Sequence, residues 1–170
     1  MSVKYWLRPI GIIHTSLSDD EVRNSLTGVP GVIEVFEEFA GGLKGIDGFS
    51  HLIVVAYLHK VSDELRNVLE VRPRRLLRLG LSIDEIPTVG VFCTDSPHRP
   101  NPIAITIVRL VRREGRFLYV EGLDLFNGTP VIDLRPYTPD RVVSNPTLPQ
   151  WYVELLNKAR VRSGTNNPPI

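Results

Sequence analysis

Apolar residues along this chain come in short runs rather than long stripes. Ile10–His14, Val32–Phe36, Ser50–His59, Thr88–Thr94, Ile105–Val111, Phe117–Gly122 and Pro130–Leu134 are rich in Val, Ile, Phe and Tyr, and Gly, Pro, Asn and Asp bound them. β-Branched and aromatic side chains suit a pleated, half-buried surface, so this spacing predicts an all-β sandwich or barrel. Glu114-Gly115 predicts a hairpin turn and Asn127-Gly128 a second tight turn. The run Leu52–Leu58 is apolar at both parities, which puts it either at the centre of a barrel or in a subunit interface. Helical periodicity is weak until Pro149. Beyond it, Trp151, Leu155, Leu156 and Ala159 predict a short amphipathic helix, with Lys158 and Arg160 in its last turn. Ser163–Pro169 reads as a flexible tail.

At 170 residues the chain is long enough to bury one sound core. Its single cysteine, Cys93, excludes an intramolecular disulfide and favours a reducing compartment. Cys93 lies in an apolar run, so a buried thiol is expected. The longest apolar run falls far short of the ~20 residues a membrane span needs, and no apolar signal core opens the chain. The expectation is a cytoplasmic protein. A net charge of +1 says little, but its distribution says more. Arg72, Arg74, Arg75 and Arg78 form one cluster, Arg109, Arg112, Arg113 and Arg116 a second, and Lys158, Arg160 and Arg162 a third. Such clusters suit either phosphate or plain solvation.

The most informative segment is Gly-Val-Phe-Cys-Thr-Asp-Ser-Pro-His-Arg-Pro-Asn-Pro, from Gly90 to Pro102. An apolar run expected to be a strand enters a loop whose three prolines each fix φ and restrict the preceding residue. His98, Arg99 and Asn101 are therefore presented on a stiff backbone, as a binding site requires. A second polar constellation runs from Leu123 to Tyr137, where Asp124 and Asp133 flank a turn. Asp133 interrupts an apolar strand and needs a partner if buried, Arg99 or a ligand being the candidates. No P-loop, Gly-x-Ser-x-Gly elbow or His-Glu-x-x-His helix is present, and Gly41–Gly45 lacks the strand-turn-helix context of a nucleotide loop. His51 and His59 would lie roughly 26 Å apart along one strand, too far to share an ion, so no metal is expected.

These segments together resemble one family. Gly-Val-Phe-x-Thr-x-Ser-Pro-x-Arg-Pro-Asn-Pro-Ile, followed by Leu-Asp-x-x-x-Gly-Thr-Pro-x-x-Asp-x-x-Pro-Tyr, is similar to the TsaA-like, or TrmO, proteins. Arg8–Gly11, Leu43–Leu52 and Val71–Arg74 match in the same order. The resemblance implies a mainly β protein with a TsaA-like barrel over residues 1–140; residues 141–170, outside the resemblance, are expected to form a C-terminal extension with the short helix and tail read above. It further implies a homodimeric, S-adenosylmethionine-dependent methyltransferase acting on N6 of threonylcarbamoyladenosine 37 in tRNA. By matching position, His59, Lys60, Ile105, Asn127, Gly128, Thr129 and Pro130 would contact the cofactor, with Arg99 and Asn101 shaping the pocket.

Methyl transfer is an in-line displacement that rewards positioning, and the nucleophilic nitrogen must lose a proton. Asp124, Asp133 and His98 are the candidate bases, while Tyr137 could stack or donate a hydrogen bond. Two departures stand out. Asp95 occupies a position where the family carries an arginine, and no Pro-Arg-Gln-like segment lies between Ser16 and Pro30. A guanidinium exchanged for a carboxylate reverses the charge and removes a bidentate donor. The alternative expectation is therefore a non-catalytic dimeric barrel that binds RNA or a nucleoside-like ligand.

Overall fold

The structure, a computed structural model, describes residues 5–164. The described residues form two compact units, one comprising 5–60 and 102–141, the other 61–101 and 142–164. The first is a closed antiparallel barrel. Its strands are β1 (Gly11–His14), β2 (Val29–Val35), β3 (His51–Tyr57), β6 (Ile103–Glu114), β7 (Phe117–Leu123) and β8 (Pro130–Pro136), in the order β1-β2-β7-β6-β3-β8. The fold is mainly β with a C-terminal helix, as the run pattern predicts.

Alternation fills the interior. Leu52, Val54 and Ala56 of β3 face Val108, Leu118, Val120 and Val131 in a core that also holds Ile13 and Ile33, all of them buried. β3 pairs with β6 and β8, two neighbours like every strand of the closed barrel. Its other parity is only half-buried, so the apolar character at both parities leaves Ile53, Val55 and Tyr57 on the outside. Closure removes the exposed strand edges that would invite aggregation. The hairpin between β6 and β7 turns at Gly115-Arg116, where Glu114-Gly115 predicted it.

One helix goes unpredicted. α1 (Asp19–Asn24) follows Ser18, whose hydroxyl accepts from the Glu21 amide while the Glu21 carboxylate accepts from Ser18 N at 2.8 Å. This reciprocal capping box outweighs the absence of a long apolar period.

The second unit carries the two-residue ladder of β4 (Glu70–Val71) with β5 (Val89–Gly90), several 3-10 turns and α2 (Gln150–Ser163). Here the sequence expectation fails twice. The strand foreseen over Thr88–Thr94 stops at Gly90, and Val91–Cys93 curl into a 3-10 turn. The Thr94 amide and hydroxyl both bond back to Val91 O, an alternative to a strand ladder that short hydroxyl residues offer. Val91 alone of the three turns inward, so Cys93 is exposed rather than buried. α2 buries Leu155 and Ala159 against Leu76, Leu79 and Ile86. Residues 165–170 of the expected tail lie outside the described residues. Among the described residues, no helix is long and apolar enough to cross a membrane.

A bidentate ion pair ties α2 down. Both carboxylate oxygens of Glu85 accept from Arg162, at 2.6 and 2.8 Å, and Arg162 also donates to Gly80 O. Arg162, then the Ser82 amide, pull the Glu85 pKa from 4.5 down to about 2. A depressed carboxylate contributes stability above its unfolded pKa and loses it as pH falls through the folded value. A Glu85→Gln variant should therefore melt below wild type at neutral pH. The gap should close between 4.5 and about 2 in a series of thermal melts.

Candidate functional site

The turn that joins β7 to β8 is held mainly by backbone bonds. Thr129 N donates to Phe126 O, Gly128 N donates to Ile13 O, and Ile13 N returns a bond to Thr129 O. Gly128 has φ of 80°, the left-handed region that suits glycine. The Asn127 carboxamide oxygen accepts from Thr15 N at 3.1 Å, and Thr129 is the sole buried polar residue among the described residues. Asn127, Gly128, Thr129 and Pro130 are thus locked onto β1.

His59 and Lys60 follow β3, and Lys60 meets this turn at Phe126. The Lys60 ammonium lies 5.1 Å from the centroid of the Phe126 ring and 2.5 Å from Asp19 Oδ2. Arg23 approaches the same ring at 5.5 Å. Two cations, a carboxylate and an aromatic face therefore converge beside the turn. Asp19 and Arg23 are delivered by α1, whose capping box fixes Asp19 in the first turn. Sequence reasoning did not place Asp19, Arg23 or Phe126 in the site; the unread Ser18-Asp-Asp-Glu21 capping pattern was the signal available for α1. His59 is held below its ordinary pKa, first by loss of solvent and then by Lys60, with Asp19 acting in the opposite sense.

Ile105 stands apart from this constellation. It is 71% exposed on the outer face of β6, paired with Val55, which in turn pairs with Asp133. Ile105 and Asp133 thus share one lateral row. Asp133 is only partly buried and its partners are local: Oδ1 accepts from Leu134 N and Oδ2 from Arg135 Nε, both at 2.9 Å. Arg135 takes the place envisaged for Arg99. Asp124 is exposed. Tyr137 packs edge-on against His51, with ring centroids 6.4 Å apart.

His98, Arg99 and Asn101 belong to the second unit. Their loop is stiffened by hydroxyls as well as prolines: Ser96 N donates to Thr94 Oγ1, and His98 N to Ser96 Oγ. Arg99 folds back to donate to Thr94 O at 3.3 Å, while Asp95 and Asn101 are exposed. The barrel's arginine cluster is largely neutralised. Arg109 pairs with Glu121, Arg112 with Glu114, Arg113 with Asp47 and Arg116 with Glu34.

Comparison with known proteins agrees with this architecture. The profile of the tRNA-methyltransferase O N-terminal domain family matches residues 22–141, and the chain belongs to that family. A Pyrococcus abyssi protein described as a probable S-adenosyl-L-methionine-binding protein is 35% identical over 163 residues, covering 90% of this chain and 80% of the relative. The human tRNA (adenine(37)-N6)-methyltransferase is 37% identical over 103 residues, 61% of this chain but 21% of its own length. The crystal structure of TrmO from Pseudomonas aeruginosa superposes with a TM-score of 0.60 at 26% identity, covering 85% of this chain and 62% of that one. The chain thus spans less than two thirds of that solved relative.

The His59 environment makes a directional prediction. Following the imidazole by NMR titration, Lys60→Gln should raise its pKa part of the way, because desolvation is the larger cause. Asp19→Asn should lower it further.

Proposed function

We propose that this chain is an S-adenosylmethionine-dependent methyltransferase acting on N6 of adenosine 37 in tRNA, with the threonylcarbamoyl-modified base as its substrate. The observation that carries this reading is the Lys60–Asp19–Phe126 constellation packed on the 127–130 turn, in a chain that matches the family over residues 22–141. The donor set fits the cofactor's chemistry. The Lys60 ammonium suits a carboxylate, Asp19 an amine or ribose hydroxyls, and the Phe126 face a cation or a stacked ring. When bound, the cofactor supplies an electrophilic methyl group. The chain's own task is to orient the two reactants and receive the proton shed at nitrogen. Asp124 and His98 remain candidates for that proton, while Asp133 is a weaker one because Arg135 engages its carboxylate.

The homodimer belongs to the same proposal. Ile105 and Ile107, 71% and 50% exposed, lie beside the half-buried Val55 and Ile53. This gives an apolar outer face suited to a second copy. Exposed Asp95 favours a second reading, a binding module that transfers no methyl group.

Nucleoside mass spectrometry of tRNA incubated with protein and labelled cofactor tests the main reading. Methylated threonylcarbamoyladenosine is the expected product, and its absence with competent tRNA favours the binding module. By calorimetry, Lys60→Ala should weaken cofactor binding at least ~10-fold, the loss expected for a charge-assisted hydrogen bond. Ile105→Asp should convert a dimer to a monomer in light scattering.

A further inference from the structure

A groove of about 620 Å³ opens on the outside of the barrel and is lined among others by His14, Gly31, Val32, Arg112, Tyr119 and Asn127. Two irregularities shape it. The β2–β7 register shifts between Val29 and Gly31, and the β6–β7 register shifts between Leu110 and Arg112. The two shifts adjoin Val120 of β7: the first places the extra residue on β7 between Val120 and Leu123, the second places Val111 of β6 against the step from Val120 to Tyr119. Bulges re-aim side chains and recur beside binding sites. Gly31 is needed for closeness: a Cβ there would meet His14 O at 2.8 Å and Leu123 Cδ1 at 2.6 Å.

The re-registered strands align His14, Val32, Tyr119 and Arg112 in one lateral row across β1, β2, β7 and β6. At ~4.8 Å per strand the row extends roughly 14 Å, longer than one base. At one end the Arg112 guanidinium carbon lies 3.5 Å from the Tyr119 ring centroid. Glu114 holds both partners, pairing with Arg112 and accepting from the Tyr119 hydroxyl at 2.9 Å. At the other end His14 Nε2 is 2.7 Å from Glu34, and Asn127 is tied to Thr15 N. The groove's carboxylate, Glu121, is engaged by Arg109 at 2.6 Å.

A locked π surface, an apolar floor and fixed polar edges fit a flat ring carrying donors and acceptors in its plane. The groove is open along the barrel surface, which suits a base on a polymer. From these features we infer that the outer groove of β1-β2-β7-β6 stacks an unpaired base of single-stranded RNA, a site that adjoins the Lys60 constellation through Asn127 but is built on Tyr119 and Arg112. The inference deepens the RNA-directed reading proposed above and rests on it. Stacking on aromatic and guanidinium planes is how sheet surfaces commonly hold unpaired bases.

The probe is a single-stranded oligoribonucleotide of about eight nucleotides carrying 2-aminopurine, whose fluorescence is quenched on stacking, with no cofactor present. Wild type should bind and quench it. Tyr119→Phe should stay within about twofold, Tyr119→Ala should lose roughly tenfold or more, and Arg112→Gln should lose several-fold. Tyr119 is only partly buried, so its variants should keep wild-type circular dichroism; should Tyr119→Ala misfold, Arg112→Gln decides alone. Undiminished binding by the folded variants, or equal binding of a duplex of the same length, overturns the groove. The tRNA methylation assay separates the two readings. Oligomer binding that depends on Tyr119 without methyl transfer defeats the enzyme reading and keeps the groove. Methyl transfer at limiting tRNA that is unaffected by Tyr119→Ala defeats the groove and keeps the enzyme.

Discussion

Closure of the sheet between β1 and β8 is the constraint on which the barrel unit depends. Gly11 pairs with Val131 and Ile12 with Pro130, and the ladder continues into the loop through Ile13 N to Thr129 O and Gly128 N to Ile13 O. Strand closure and the candidate cofactor turn are therefore one piece of structure. The turn needs little side-chain scaffold beyond the bond from Thr15 N to Asn127, because the seam that shuts the barrel fixes its backbone. Rigid backbone of this kind is the usual support for residues that must hold a ligand in one geometry.

Around that seam, short-range devices set the charges. The Ser18 capping box orients Asp19, Asp19 holds Lys60, and Lys60 covers Phe126. Each exposed ion pair is worth little alone, ~0–1 kcal/mol. Their value lies in orientation, since the ammonium and the ring reach the turn from different strands and α1 supplies the counter-charge. The barrel's arginines are satisfied in the same manner by Glu121, Glu114, Asp47 and Glu34. Sequence clustering of like charges overstated the positive field there, because Asp47 and Glu34 lie far from Arg113 and Arg116 in the sequence and meet them only on folding.

Much of the barrel was legible because side-chain alternation is a local property. The runs at Ile10, Val32, Ser50, Ile105, Phe117 and Pro130 all mark true strands, and the turns at Gly115 and Gly128 fall as their residues demand. Thr88–Thr94 misled for a physical reason: two residues pair, then hydroxyl bonding at Thr94 draws the chain into a turn that exposes Phe92 and Cys93. Asp133 looked like an orphan because its partner, Arg135, sits two residues along the same strand. The turn 127–130 could be named from its motif. Asp19 could not be linked to it, because forty-one residues separate Asp19 from Lys60 and only tertiary folding joins them.

The barrel is also discontinuous along the chain. β3 ends at Tyr57 and its partner β6 begins at Ile103, while β1 must find β8, with Gly11 opposite Val131. Native contacts of such long sequence separation are characteristic of slow folding, since chain closure must be completed before burial rewards it. During synthesis the first three strands emerge with one whole ladder missing on either side of β3. The apolar run Leu52–Leu58 must therefore wait, unpaired, until the second half of the barrel has left the ribosome, and in that interval it is the segment most in need of a chaperone.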